Sequence, residues 1–213
     1  MICVSLAEPT RERCLAALAG IDFAEIRIDR MTSVNERDVR SIFSGGKRLI
    51  ATCRPGGAPE ADRKILLLAA IEAGAAYVDV EIDAAKDFRR CLIESAARTG
   101  CRVIVSYHDF IRTPPRPGLE DIVGRCFAMG ANIAKIACLV ESDRDNARLL
   151  GLLDDPRPMA VMGLGRLGAK TRVMAPLLGA AFVYASPGEG RETADGQIPA
   201  GRLSDLLRTM REV

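Results

Sequence analysis

A single lysine interrupts an otherwise apolar run, Asn132-Ile133-Ala134-Lys135-Ile136-Ala137-Cys138. The run is short and bounded, as a buried strand is. Lysine is almost never fully buried without a reason. Burial of an ammonium favours the neutral amine, and a neutral, desolvated amine attacks ketones and aldehydes. The plainer alternative is a strand-end lysine that reaches solvent or pairs with a carboxylate. Four polar pairs accompany it at a spacing of two: Glu25 and Arg27, Thr52 and Arg54, Asp79 and Glu81, Ser106 and His108. Residues two apart on a strand share a face. Buried charges need partners, so these groups either neutralise one another as a structural network or line a reactive pocket. As chemistry, the set is coherent. Lys135 can form an imine with a substrate ketone, which acidifies the neighbouring carbon. His108, the one histidine of the chain, can move that proton. Glu81 or Asp79 can orient the imidazole, and the arginines can clamp a carboxylate by paired hydrogen bonds. The scheme calls for no cofactor and no metal. Residue types and spacing lead to a lysine-based enzyme for a carboxylated keto substrate, and no further.

The elements that must position these groups follow from periodicity. Phe23-Ala24-Glu25-Ile26-Arg27-Ile28-Asp29 is echoed by Tyr77-Val78-Asp79-Val80-Glu81-Ile82-Asp83. Extending the search for such units predicts strands at Ile2–Leu6, Phe23–Ile28, Arg48–Cys53, Tyr77–Ile82, Arg102–Ser106, Asn132–Cys138, Met159–Gly163 and Ala181–Ala185. Between them, three-to-four spacing of apolar residues predicts helices at Pro9–Leu18, Ala58–Ala73, Ala84–Arg98, Leu119–Met129, Asp143–Leu152 and Arg172–Leu178. Gly20, Gly74, Gly100, Gly130 and Gly179 stand where helices should stop before the next strand. Alternating strands and helices imply a parallel sheet with right-handed crossovers. Eight such units predict a single-domain α/β chain spanning residues 1–213, a closed (β/α)8 or TIM barrel. An open doubly wound sheet is the alternative, but the turn Ala7-Glu8-Pro9-Thr10 carries no G-x-G-x-x-G. In a barrel, the polar strand ends converge at the C-terminal face. The loops Thr113–Gly118 and Ser186–Gly190 are expected there too.

Composition narrows the classes. The chain has 213 residues, of which 48% are hydrophobic and 27% charged, as in a globular protein. A net charge of +2, without a basic cluster interleaved with aromatics, gives no sign of a nucleic-acid partner. The apolar runs are too short to span a bilayer, so no membrane partner is expected. Met1–Leu6 has no basic leader and reads as a first strand. The seven cysteines form no C-x-x-C pair and suggest neither disulfides nor zinc. A reducing, cytoplasmic location fits them.

The motifs together resemble the type I 3-dehydroquinate dehydratase family. Ser106-Tyr107-His108-Asp109-Phe110-Ile111-Arg112-Thr113-Pro114 is similar to that family's H-D-F-x-x-T-P segment, and Glu25-Ile26-Arg27-Ile28-Asp29 to its E-x-R-x-D segment. Thr52-Cys53-Arg54, followed by Gly56 and Gly57, resembles its third-strand arginine motif. Asp79-Val80-Glu81 resembles its D-x-E, and Ala134-Lys135-Ile136-Ala137 its Schiff-base lysine segment. Met162 to Arg172 resembles its M-x-x-G-x-x-G-x-x-S-R, and Thr193-Ala194-Asp195-Gly196-Gln197 its S-A-P-G-Q loop. The resemblance implies dehydration of 3-dehydroquinate to 3-dehydroshikimate on the route to aromatic amino acids, in a homodimer. It assigns the imine to Lys135, proton transfer to His108 and orientation of His108 to Glu81. It gives Arg172, Thr193 and Gln197 the carboxylate region, and Glu25, Arg27 and Arg54 the hydroxyl and carboxylate groups. The first strand comes so early that a barrel-plugging N-terminal hairpin is expected to be missing. Asp195 stands in the place of proline and Thr193 in that of serine. The glycine-bearing loop that holds them is expected to close over substrate. Other readings of the same residues are a class I aldolase acting on sugar phosphates and a non-catalytic barrel that binds a small acid.

Overall fold

Apolar runs of about five residues form the strands here, and each strand leads into a helix. The structure, a computed structural model, describes residues 1–56 and 58–212. Gly57, one of the two glycines after Arg54, lies outside them. The order is β1 (Ile2–Leu6), α1 (Arg11–Ala17), β2 (Phe23–Arg27), α2 (Glu36–Phe43), β3 (Arg48–Thr52), α3 (Glu60–Glu72), β4 (Tyr77–Glu81) and α4 (Lys86–Thr99). It continues with β5 (Arg102–Asp109), α5 (Arg116–Ala128), β6 (Ile133–Leu139), α6 (Asp143–Gly151), β7 (Met159–Leu164), α7 (Gly165–Leu177), β8 (Val183–Ala185) and α8 (Ala200–Arg211). The strands are ordered β7-β6-β5-β4-β3-β2-β1-β8. The Ala181 N–H donates to Met159 O at 2.8 Å and the Val183 N–H to Met1 O at 3.0 Å. The approach to β8 is thus bonded to β7 on one side and to the start of β1 on the other. Eight parallel strands in this order, each followed by a helix, make the (β/α)8 barrel fold. By packing, the chain divides into two compact units, Val4–Ile104, and Met1–Cys3 with Val105–Val213.

The expected strands are all present, and the helix-stopping glycines adopt left-handed backbone, as at Gly100 with φ +77°. Five differences have local causes. α2 was not expected. It is only eight residues long, yet Asn35 caps it by accepting from the Asp38 N–H at 3.1 Å, and Val39, Ile42 and Phe43 are buried. α8 was also not expected. It rests on few apolar side chains, with Leu203 and Leu207 packed against Val183 and Ala185. α5 begins at Arg116, with a proline in its first turn, so Pro117 and Gly118 are helical and the expected loop is shorter. β5 runs on to Asp109 and carries Tyr107 and His108.

The fifth difference concerns α7, which begins at Gly165 and not at Arg172. Gly163 ends the expected strand and Gly168 falls between it and the expected helix, and the two serve a close approach of backbone to backbone. A Cβ on Gly168 would lie 2.4 Å from the carbonyl carbon of Gly163, and one on Gly163 would lie 2.7 Å from Gly168 Cα. The Thr171 hydroxyl clips the two together, donating to Gly168 O at 2.7 Å and accepting from the Gly163 N–H at 2.7 Å. This contact holds α7 against β7 and therefore places Arg172. Gly168→Ala should lower stability by about 1–3 kcal/mol or more through overpacking, while Gly124→Ala, with open space around it, should not. Thermal denaturation of both variants checks this.

Candidate functional site

In the unit Val4–Ile104, the parallel register brings the polar pairs together. Ser5 of β1 sits directly beside Glu25 of β2, and Arg27 beside Thr52 of β3. Ser5 Oγ donates to Glu25 Oε2 at 2.5 Å and Thr52 Oγ1 to Oε1 at 2.9 Å. Each oxygen of this buried carboxylate is therefore held by a hydroxyl. Arg27 turns to Asp29, with Nε donating at 3.0 Å and Nη2 at 2.7 Å. Burial works against the Arg27 charge. The bonds to Asp29 and the negative charges of Glu25 and Asp29 outweigh it, so the pKa of Arg27 lies above its ordinary value. Burial likewise opposes the Asp29 charge. The Arg27 guanidinium and the backbone N–H of Arg54 outweigh that burial and hold the carboxyl below its ordinary range. Arg54 spans two carboxylates of β4, with Nη1 to Glu81 at 2.8 Å and Nη2 to Asp79 at 2.9 Å. The Asp79 side chain is sealed, whereas that of Glu81 is 31% exposed.

The unit of Met1–Cys3 and Val105–Val213 holds the other candidates. Lys135 lies in the middle of β6, paired in register with Ala160, and is 5% exposed. Its Nζ sits 4.2 Å from the centre of the Tyr184 ring. His108 stacks on Phe110 with centroids 5.9 Å apart and planes 9° from parallel. The chain after His108 is tied down. Asp109 accepts from the Ile111 and Arg112 N–H groups at 2.9 Å, and the Thr113 hydroxyl donates to Leu139 O at 2.6 Å.

Arg172 differs from the other arginines. It is fully buried, and its guanidinium donates to Tyr184 O and Asp195 O, both at 3.3 Å. Among the described residues no carboxylate pairs with it, and its Nε has no partner. Burial pushes its pKa down to about 10. The loop that supplies Asp195 is pinned at its ends, Ser186 N–H to Ile198 O at 3.1 Å and Ala200 N–H to Ser186 O at 2.9 Å. Within it, Thr193 and Gln197 bond each other, with the Thr193 N–H donating to Gln197 Oε1 at 2.8 Å. Gly196 lies on the first turn of α7, where a Cβ would come 2.5 Å from Gly165 O.

Three participants escaped the sequence reading. Ser5 was legible only as the one polar residue of β1. Asp29 stood in a quoted motif without a partner. Tyr184 was hidden as one more aromatic of an apolar strand.

A model of the type I 3-dehydroquinase family matches residues 2–213. The chain is 36% identical to the 3-dehydroquinate dehydratase of Methanothermobacter thermautotrophicus, over 98% of this chain and 95% of that one. It is 35% identical to that of Methanosarcina barkeri, over 92% of this chain and 88% of the other. The crystal structure of the type I 3-dehydroquinate dehydratase of Clostridium difficile superimposes with a TM-score of 0.87 at 22% identity, over 99% of this chain and 92% of that one, and shares its fold.

Two outcomes follow from the geometry. The lowered pKa of Asp29 stabilises the fold above the ordinary carboxyl range, and that contribution disappears as pH falls through it toward the folded value. Urea unfolding at pH 7 and pH 3 should therefore show a larger acid loss in the wild type than in Asp29→Asn. Gly196→Ala should lift the loop off α7, giving faster protease cleavage between residues 186 and 199 with a thermal midpoint close to that of the wild type.

Proposed function

The chain belongs to the type I 3-dehydroquinase family, and from that premise we propose that Lys135 carries its reaction as a Schiff base. The reaction is the dehydration of 3-dehydroquinate in the shikimate pathway. The observation that carries the assignment is the buried lysine of β6, held at an aromatic face in an otherwise apolar strand.

In this reading the Lys135 amine adds to the C3 ketone, and the ketone oxygen leaves as water. The resulting iminium is an electron sink. His108 removes a proton from C2, and the electron pair moves toward nitrogen to give an enamine. Electrons returning from the enamine expel the C1 hydroxyl, which takes the proton from His108 and leaves as water. A final water hydrolyses the imine, freeing 3-dehydroshikimate and the lysine. The net change is loss of one water. General acid–base help of this kind contributes about 10²–10⁴-fold.

The remaining roles are assigned on chemical grounds. Arg172 takes the substrate carboxylate, because an uncompensated buried guanidinium gains most from an anionic partner. Thr193 and Gln197 close over it, supported by their place on the loop whose carbonyl meets Arg172. Glu81 orients His108, supported by its position at the end of β4 and by Arg54, which fixes one of its oxygens. Glu25, Arg27 and Arg54 take the hydroxyls and the rim of the carboxylate. Glu25 is suited to this because Ser5 and Thr52 hold its carboxylate in place. The family match over residues 2–213 supports residues 1–213 acting as one domain.

A homodimer in the cytoplasm completes the proposal. Support for the location is that all seven cysteines are free thiols, and burial pushes Cys14, Cys101 and Cys138 up to about 12, leaving them inert. Among the described residues, no helix is long and apolar enough to cross a membrane.

Borohydride reduction in the presence of 3-dehydroquinate, followed by intact-mass measurement and peptide mapping, tests the assignment. An adduct is expected on the peptide that holds Lys135. Lys135→Ala should show no adduct and no turnover, whereas His108→Ala should still be trapped but turn over at least about 10²-fold more slowly. Full activity in Lys135→Ala would end the Schiff-base reading.

A further inference from the structure

We propose that Tyr184 seats the reacting lysine, its ring face holding the Lys135 nitrogen at a set position relative to the Arg172 guanidinium. The inference rests on the Schiff-base reading and adds a positioning residue to it. Tyr184 is 2% exposed at the centre of the three-residue strand β8. Phe182 meets its ring edge-on, with centroids 5.2 Å apart and planes at 73°, which fixes the plane of the ring. Lys135 Nζ lies 4.2 Å from the ring centre. The carbonyl of the same residue accepts from Arg172 Nη1 at 3.3 Å. One residue therefore touches both the imine-forming nitrogen and the group proposed to hold the carboxylate, one by its ring and the other by its main chain.

The physics favours a seat over mere filling. A lysine stem has many rotamers, and a nitrogen that wanders loses the near-attack geometry on which an addition depends. The negative face of an aromatic ring attracts a cation. The iminium carries a positive charge on that nitrogen, so the ring face favours it once the bond forms, and before that the contact limits the rotamers of the stem. The face does this, and the hydroxyl is not needed.

The main-chain carbonyl survives any side-chain change, which gives a clean separation. Tyr184→Phe should retain most of the kcat. Tyr184→Leu should lower kcat about tenfold, the scale of a desolvated cation–π contact. Its affinity for quinate, which has the carboxylate but no ketone, should stay within about twofold of the wild type, because the Arg172 contact is kept. Incorporation of 3,4,5-trifluorophenylalanine at position 184 keeps the ring's shape and weakens its face, and should give a kcat between those of Phe and Leu. That last variant does not depend on whether the leucine variant folds. Equal rates for the phenylalanine and trifluorophenylalanine proteins would overturn the seat and leave only shape. So would an undiminished kcat in Tyr184→Leu, or a parallel loss of quinate binding. Borohydride labelling of Lys135 in the wild type is run alongside. No label there overturns the Schiff-base reading itself, whereas a labelled wild type with insensitive variants overturns only the seat.

Discussion

A buried cation must be compensated, and the arrangement of polar groups in this chain follows from how that requirement is met. In the unit Val4–Ile104 the buried Arg63 donates to Cys53 O and lies over the Phe88 ring, whereas the half-buried Arg27 and Arg54 are met by carboxylates. Arg27 is taken up by Asp29, and Arg54 by Asp79 and Glu81. Glu25 is satisfied by two hydroxyls. In the other unit the two candidate cations have a ring or carbonyl oxygens among their partners. Lys135 has an aromatic face and Arg172 two carbonyl oxygens. A carbonyl or a ring lowers the cost of burial without cancelling the charge. Carboxylate pairing suits rigid support, whereas Arg172, which among the described residues meets carbonyl oxygens and no carboxylate, suits capture of an anion.

The backbone makes this placement possible. Parallel register sets Ser5 beside Glu25 and Lys135 beside Ala160, so the side chains at strand ends have fixed neighbours. Arg172 reaches its place because Gly163 and Gly168 let α7 lie on β7 at main-chain contact. Gly196 repeats the device where the loop carrying Asp195 lies on the same helix. Small residues here are position-setting in the same sense as the charged ones, because a single methyl would displace a guanidinium.

Much of this was legible in the sequence. All eight strands and their helix-stopping glycines were visible from apolar runs and from Gly20, Gly74, Gly100, Gly130 and Gly179. Lys135 announced itself because its type contradicts its surroundings, and His108 because it is single. Helices with few apolar residues were not legible. α8 relies on Leu203 and Leu207, too sparse a pattern to stand out, and α7 is masked by glycines that serve packing and not turning.

The fold class and the identity of the polar groups at the strand ends can be read from the amino acids alone. Both are set by local periodicity, by residue type and by the order of motifs. The pairings come from the folded chain. Arg27 could as well have met Glu25 as Asp29, and nothing in their spacing chooses between them. That choice depends on side-chain direction and on register with β3. The same holds for Tyr184 beneath Lys135. Those two residues are far apart in the chain, and their contact exists because β6 pairs with β7 while the segment leading into β8 bonds to the start of β7, which no local pattern encodes.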